Sequence, residues 1–452
     1  MVSKRKWTFS LACLTIIVSG GVIALFTQVL DDPYDSWMRT YGTSEYSYIH
    51  EMIMRSDNEN VMLGTIDGSA VLIGIDGTGA VLWTQPVLHY LWIWNMILTL
   101  DKGLLLFGTK RREGDYDDLY LCRLNASNSI LWERSYSPAK SIADRPVYIQ
   151  LGPNAIQTPD GGFIVASLVI DSSVHERERT WLLRLDSMGS PLWNISYPSH
   201  AIFEPLLFQH SEGYFSLVGS TYRDWNITLI QFASNGTIFW DQTYEELDNG
   251  AYSVTSGVQT QDGGYALACN VYFGVGRWKD YFLRIDANGR FLWYKTYPIR
   301  INSIIETKDG NYALAGVLYS DSGDQNARLM YIDANGTVLW DRIYGGVYRD
   351  SISAILQTPD EGFILAGGTL SFGIGNNATQ TWDAWVFKTD KFGYISQLPK
   401  LFAFIGFTGW MLSIGGAFAL GIFTAELFLK HQIKEEKSSL HSSTNLNRDQ
   451  KY

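Results

Sequence analysis

The stretch "IDANGTVLWDRIYGG" at residues 332–346 combines an acidic turn, a glycine, an apolar run, a tryptophan and a Tyr-Gly-Gly ending. Taken alone, it resembles a cofactor-binding or sugar-hydrolase motif. The tryptophan strand recurs along the chain, with one degenerate copy at 82–87. One molecule does not need seven copies of one active site, so the recurrence indicates architecture. The tryptophans of this repeat are Trp37, Trp83, Trp132, Trp193, Trp240, Trp293 and Trp340.

Two further elements recur between these tryptophans. A Thr-x-Asp-Gly turn precedes an apolar segment, as in "TPDGGFIVAS" at 158–167 and "TKDGNYALAG" at 307–316. A second apolar segment leads into an Asp-x-x-Gly turn, as in "YFLRIDANGRFLW" at 281–293. Apolar and polar residues alternate within these segments, and the glycines supply the positive φ that tight hairpins require. Each unit therefore predicts four short strands.

The spacing of about 50 residues between units is typical of a β-propeller. We predict an all-β, seven-bladed propeller of four-stranded antiparallel blades over residues 31–396. The last unit lacks a tryptophan strand of its own, while the strand with Trp37 precedes the first full unit. We expect residues 37–41 to pair with the segment 384–390, because this closure removes the exposed strand edges.

Two uncharged segments, 7–30 and 401–425, flank the repeats, and each is long enough to cross a bilayer as a helix. Basic residues lie on the outer side of both, which places both termini in the cytoplasm and the propeller outside. We predict a cytoplasmic N-terminus at 1–6, transmembrane helices at 7–30 and 401–429, and a disordered cytoplasmic tail at 430–452. A cleaved secretory signal is the alternative for the first segment.

Composition narrows the possible partners. The net charge of −11 argues against nucleic-acid binding, which needs a basic surface. The three cysteines, Cys13, Cys122 and Cys269, match no metal spacing and are expected to be buried apolar side chains; a Cys122–Cys269 bridge stays open. An outside location fits the six glycosylation sequons, which begin at Asn125, Asn194, Asn226, Asn235, Asn335 and Asn377.

Asp-Gly-Gly-(Tyr/Phe)-x-Leu-Ala-Gly, Asp-x-x-Gly-x-x-x-Trp and Tyr-Gly-Gly together resemble cell-surface β-propeller repeat proteins of archaea and bacteria. The resemblance covers residues 37–396 and implies the fold but no particular activity. The turn at 333–340 is also similar to the tryptophan-docking motif of quinoprotein (PQQ) dehydrogenases and, more distantly, to the Asp-box of sialidases. The sequence has neither the Cys-Cys pair of the former nor an identifiable arginine triad of the latter. We therefore expect no cofactor, no metal and no catalysis.

A candidate binding site lies where the sequence departs from the repeat. The stretch "HYLWIWN" at 89–95 occupies a strand start near the expected channel mouth, where other units carry polar residues. Its aromatic residues, His89, Tyr90, Trp92 and Trp94, have the chemistry to stack on a sugar or hold a peptide. Alternatively, they fill the core between blades. Long insertions in the third unit and in the seventh, "SFGIGNNATQTWD" at 371–383, form a second candidate.

These observations favour a membrane-anchored extracellular propeller that acts as a ligand-binding, protein-binding or scaffold module. Its partner is expected to be a surface glycan or protein. The alternatives are an extracellular propeller enzyme, glycoside hydrolase-like or quinone-dependent, and a structural component of the cell envelope.

Overall fold

The computed structural model describes residues 36–42, 45–87, 91–112, 116–138, 147–171, 178–197, 201–221, 224–245, 251–272, 278–319, 325–373 and 381–395. These residues form seven four-stranded antiparallel sheets. The predicted all-β seven-bladed propeller is therefore confirmed. The predicted cytoplasmic and membrane segments, 1–6, 7–30, 401–429 and 430–452, lie outside the described residues. Within the described part of the chain, no helix has the length and hydropathy needed to span a membrane.

The strands, blade by blade, are β2 Tyr48–Ser56, β3 Glu59–Ile66, β4 Ser69–Ile75 and β5 Val81–Pro86; β6 Leu91–Leu98, β7 Leu104–Arg112, β8 Tyr116–Leu124 and β9 Ile130–Tyr136; β10 Val147–Gln157, β11 Phe163–Asp171, β12 Glu178–Leu185 and β13 Pro191–Tyr197; β14 Ile202–Gln209, β15 Phe215–Thr221, β16 Ile227–Phe232 and β17 Ile238–Tyr244; β18 Ala251–Gln259, β19 Tyr265–Tyr272, β20 Trp278–Ile285 and β21 Phe291–Tyr297; β22 Arg300–Glu306, β23 Tyr312–Tyr319, β24 Gln325–Ile332 and β25 Val338–Tyr344; β26 Asp350–Gln357, β27 Phe363–Thr369, β28 Asp383–Thr389 and β1 Trp37–Tyr41.

The ring closes through its first strand. β1 is the fourth strand of blade 7 and pairs with β28, with Trp37 opposite Lys388 and Tyr41 opposite Ala384. The predicted closure is confirmed. The first strand of each blade contacts the first strand of the next, from β2 to β26 and back to β2. These seven strands therefore line the central axis.

The core lies between neighbouring blades. β16 and β28 are buried at every position, because each face of a blade packs against a different neighbour. In one such cluster, Leu121 of blade 2 packs with Phe163 and Leu183 of blade 3. The alternation seen in the sequence thus separates the two faces of a blade. Cys122 and Cys269 are buried and free, as expected, and Cys13 lies outside the described residues.

The propeller has two different faces. The turns between the first and second strands of each blade, and those that follow the third strand, lie on one face, which we call the turn face. The connections between the second and third strands and between successive blades lie on the other, the loop face. Trp37 at the start of β1 lies beside Lys388, close to the turn that begins at Asp390. Ile395 follows that same turn. Both ends of the described propeller therefore leave from the turn face.

Candidate functional site

The acidic residue of the opening stretch fixes a turn. Asp333 accepts hydrogen bonds at Oδ1 from the backbone N–H groups of Asn335 (2.9 Å) and Thr337 (2.7 Å). The Gly336 N–H bonds the Asp333 carbonyl at 2.8 Å, with Gly336 at φ +76°. These hydrogen bonds, the one from Thr337 first, hold the pKa of Asp333 below its usual range. The Asp333 carboxylate therefore stabilises the turn.

The tryptophan and tyrosine of each repeat connect neighbouring blades. The Tyr297 hydroxyl of blade 5 donates to the Gly336 carbonyl of blade 6 at 2.7 Å, and the Trp293 ring lies against the same glycine. The hydrogen bond recurs at six seams, in the pairs Tyr41–Gly79, Tyr136–Gly189, Tyr197–Gly236, Tyr244–Gly289, Tyr297–Gly336 and Tyr344–Gly393. The opening stretch is therefore an inter-blade connector. Trp83 differs from the other repeat tryptophans, because its indole N–H donates a hydrogen bond to the Glu59 carboxylate of its own blade.

The aspartate carboxylates of several Thr-x-Asp-Gly turns form ion pairs with basic side chains. In blade 3, Arg184 pairs with Asp160 at 2.6 Å. The Thr158 hydroxyl and then, against the effect of burial, Arg184 hold the pKa of Asp160 below its usual range. Equivalent ion pairs join Arg123 to Asp101, Arg284 to Asp262 and Lys388 to Asp360. In these four blades the turn carboxylate is therefore paired with a basic side chain.

Blade 4 replaces this ion pair with neutral groups. The Nε2 atom of His210 lies 2.8 Å from the Ser216 hydroxyl and 2.9 Å from the Tyr265 hydroxyl, while the Gln259 amide contacts Nδ1 at 2.8 Å. With the Gln259 amide donating to Nδ1, Nε2 carries the proton and does not accept one from Ser216. Ser216 is also fully buried. The arrangement is a structural substitute, and the described residues contain no group that could hold a metal.

Every axis-lining strand contains a β-bulge near its loop-face end. In blades 5 to 7 the bulged residue is small and polar, and it reaches across the seam. Thr255 donates to the Ile301 carbonyl at 3.0 Å, Asn302 to the Ile352 carbonyl at 2.7 Å, and Ser353 to the Ile49 carbonyl at 2.6 Å. At blade 1 the bulged residue is His50, which bonds Thr65 within its own blade at 3.1 Å. The chain of inter-blade bonds ends there.

An aromatic group, which we call the mouth cluster, lies where this chain ends. It consists of Tyr46, Tyr48 and His50 of blade 1 and Trp382 of blade 7. Ring centroids are separated by 6.4 Å for Tyr46–Tyr48, 5.5 Å for Tyr48–His50 and 5.9 Å for Tyr48–Trp382. The cluster lies on the loop face beside the axis, and the Tyr46 side chain is 44% exposed.

A glycine in the backbone of blade 7 leaves space for two rings of the cluster. A Cβ at Gly368 would overlap the Tyr48 ring and lie 2.9 Å from Trp382, so only glycine admits both rings. The Tyr48 hydroxyl lies 3.1 Å from the Ser351 hydroxyl across the seam between blades 7 and 1. Burial raises the pKa of Tyr48, so this ring is uncharged at neutral pH. The result is an aromatic surface with polar edges.

The structure does not test the predicted binding residues. His89 and Tyr90 lie outside the described residues, and Trp92 and Trp94 lie on the axis-lining strand β6, described for their backbone. Trp94 occupies the bulge of β6, the position that His50 occupies in β2. The predicted site and the mouth cluster therefore lie on adjacent blades, and a role for these four residues stays a prediction.

Sequence reasoning identified one member of the mouth cluster and missed three. Trp382 belongs to the insertion at 371–383. Tyr46, Tyr48 and His50 were missed, although "YSYIHE" at 46–51 departs from the repeat much as "HYLWIWN" does.

The sequons lie mainly away from this cluster. Asn235 and Asn335 are exposed in turns of the turn face, and Asn194 is exposed on β13. Asn125 takes the place of the turn aspartate and accepts two backbone hydrogen bonds. Asn226 precedes β16 at the loop face, and Asn377 lies outside the described residues. Glycosylation at these positions stays a prediction.

The similarities between this chain and known proteins are distant. No family model and no curated protein matches the sequence. Among solved structures, a protein of unknown function from Bacteroides caccae is 14% identical, with 67% of this chain and 94% of that chain covered and a TM-score of 0.39. A streptogramin B lyase is 11% identical, with 78% and 98% covered and a TM-score of 0.47. BBS1N, solved in complex with ARL6DN, is 10% identical, with 78% and 95% covered and a TM-score of 0.48. These similarities carry no argument about function.

Proposed function

We propose that this protein is a membrane-anchored, outward-facing propeller that binds a ligand or protein partner through its loop face. The mouth cluster carries the proposal. Aromatic side chains supply large contact areas at small entropic cost, and they are enriched at recognition surfaces. Elsewhere the repeat aromatics pack at seams between blades, whereas Tyr46 and His50 are exposed beside the axis.

The orientation follows from where the chain leaves the propeller. Both ends leave from the turn face, and each end lies six residues from an uncharged segment, 7–30 or 401–425. If these segments are membrane helices, the turn face is directed towards the bilayer and the loop face away from it. The mouth cluster is then the part of the ring most accessible to an external partner.

A protease experiment tests this orientation. Protease added to intact cells is expected to remove the propeller and leave an epitope within 430–452 protected. A digested tail, with the propeller intact until the cells are lysed, contradicts the orientation.

A crosslinking experiment in native membranes tests the binding face. We expect a specific crosslinked species with the wild-type chain and its loss with Tyr46→Ser. The matched control is Phe392→Ser, because Phe392 is also an exposed aromatic residue, at 53%, but lies on the turn face. Equal yields from Tyr46→Ser and the wild type, with both folded, contradict the proposal.

A further inference from the structure

The outermost strands carry exposed apolar side chains at the turn face. In blades 1 to 6 the fourth strand begins directly after the turn that follows the third strand, and the residue before its tryptophan is leucine or phenylalanine. Each of these six side chains is between 44% and 58% exposed. We call them the rim residues: Leu82, Leu131, Leu192, Phe239, Leu292 and Leu339.

Exposed apolar residues in the turns extend this surface. Leu100 and Met188 are exposed in turns of blades 2 and 3. In blade 7 the buried Ser36 takes the place of a rim residue, and Phe392 is exposed in the turn nearby. Because the fourth strands form the perimeter of the propeller, apolar side chains surround the turn face.

The same strands are mostly polar towards the loop face. Glu133, Gln242 and Lys295 are typical of the exposed positions beyond the tryptophan. Among the large apolar residues described in these parts of the six strands, Tyr294 and Ile343 are the exposed ones. Exposed edge strands ordinarily carry charges that prevent association. The rim therefore departs from this rule at one end of the strands only.

The carboxylates nearest the rim residues already have partners. In five blades the aspartate that begins the turn after the third strand accepts hydrogen bonds from two backbone N–H groups. These aspartates are Asp76, Asp186, Asp286, Asp333 and Asp390. A weakly hydrated surface can therefore approach the rim without removing the partners of these carboxylates.

The course of the chain indicates which surface faces the rim. Both ends of the described propeller leave from the turn face, six residues from the uncharged segments 7–30 and 401–425. Six extended residues span about 20 Å at most. If the two segments cross a bilayer, the lipid surface lies within that distance of the chain ends on the turn face.

We propose that the rim residues insert into the interfacial layer of this bilayer and hold the propeller against it. The inference rests on the proposed function and adds a second contact with the membrane. Exposed leucine and phenylalanine side chains are stabilised at the boundary between lipid headgroups and acyl chains. The lipid is zwitterionic, because the net charge of −11 opposes binding to an anionic surface.

Fluorescence quenching by lipid tests the contact in the full-length chain. The chain is placed in phosphatidylcholine nanodiscs that contain a lipid with a nitroxide headgroup. A bimane label is attached at Leu192→Cys or, as the matched loop-face control, at Val347→Cys, in a Cys13→Ser background; Cys122 and Cys269 are buried. Val347 is also apolar and is 84% exposed. We expect the nitroxide lipid to quench only the Leu192→Cys label and aqueous iodide to quench only the Val347→Cys label.

Glutamine at neighbouring rim positions tests whether the apolar side chains cause the contact. Leu131→Gln with Phe239→Gln should reduce lipid quenching of the Leu192→Cys label. The control pair Tyr319→Gln and Tyr348→Gln changes two exposed residues of the loop face and should leave the quenching unchanged. Circular dichroism confirms the fold of each variant. Quenching that persists after the rim substitutions would show that the short connections alone hold the label near the lipid, and the inference is then overturned.

The remaining outcomes separate this inference from the proposed function. If the lipid quenches neither label and iodide reaches both, or if the lipid quenches both equally, the inference fails while the protease and crosslinking results stand. If iodide and lipid both fail to quench the Leu192→Cys label, a second copy of the chain or another protein covers the rim, and the inference also fails. If only the Val347→Cys label is quenched by lipid, the loop face is directed towards the bilayer and the proposed function fails as well.

Discussion

Gly336 and Gly310 share one backbone conformation, φ +76°, in different surroundings. A Cβ at Gly310 would meet nothing within 4 Å, whereas a Cβ at Gly336 would lie 2.9 Å from Trp293, Tyr297 and Lys295. At Gly310 only the left-handed backbone requires glycine. At Gly336 glycine is also required because the side chains of blade 5 leave no space for a Cβ.

Alanine at these two glycines separates the two requirements. We expect Gly310→Ala to lower the free energy of unfolding by about 1–2 kcal/mol, the cost of a left-handed non-glycine residue. Gly336→Ala should cost about 1–3 kcal/mol more, because it also displaces the docked rings. Urea denaturation measures both. Equal losses would show that the docking of Trp293 and Tyr297 does not depend on this glycine.

His210 makes stability depend on pH. Burial lowers its pKa from the ordinary 6.5, against the opposing charge of Glu212. The unfolded chain therefore binds a proton before the native state does as the pH falls. The contribution of His210 is fully present above about pH 6.5 and declines below it, by at most about 1.4 kcal/mol per pH unit.

The variant His210→Gln isolates this contribution. We expect the wild type to lose more unfolding free energy than His210→Gln between pH 7 and pH 5. The raised pKa values of Glu51 and Asp280, about 7 each, act in the opposite direction and are common to both proteins. Identical pH profiles for the two proteins would exclude His210 as the source.

At the scale of elements, the seam between blades 1 and 2 lacks the repeated connector. Val87 stands where other repeats have the tyrosine, and Asn128 stands where they have the turn glycine. Arg55 donates to Asn128 at 2.6 Å and partly replaces the missing bond. A cavity of about 40 Å³ remains, lined among others by Leu72, Val87 and Tyr120.

Filling this cavity should stabilise the protein. Val87→Leu adds one methylene towards the space, and we expect a gain of about 0.8 kcal/mol in the free energy of unfolding. The matched control Val218→Leu adds the same group to a fully buried site in a packed cluster, and it should cost about 1–3 kcal/mol. Losses of similar size in both variants would contradict the reading of this seam as underpacked.

The four strands of each unit were predictable from the sequence because apolar alternation and Asp-Gly turns are local signals. The bulges were not, because a bulge depends on the register between two strands. Its side chain meets a third strand, as Asn302 does at Ile352, and that contact exists only once the ring has formed. The mouth cluster could not be predicted for the same reason. His50 is the bulged residue of β2, and Tyr48 lies two residues before it on the same strand.

At the scale of the molecule, ring closure creates the proposed site. Tyr48 and Trp382 are more than 300 residues apart and meet only because β1 joins the last blade. The repeat predicted the closure, since one tryptophan strand stood before the first unit and none followed the last. It did not identify which side chains closure would bring together, because those residues belong to no repeat.

The closing strand should therefore control the edge of blade 7. Trp37 donates its indole N–H to the Gly77 carbonyl at 2.7 Å and packs against Gly79, across the seam from blade 7 to blade 1. Trp37→Ala removes both contacts, and we expect a loss of about 3–5 kcal/mol in the free energy of unfolding. Released from blade 1, β1 should detach from β28 more often and expose the β28 amides. Hydrogen exchange measured by mass spectrometry should then be faster at Ala384 and Lys388.

Trp83→Ala is the control, because Trp83 bonds Glu59 within its own blade and its loss leaves the closing seam intact. Unchanged exchange in β28 of a folded Trp37→Ala variant would show that β1 holds the ring closed without its tryptophan.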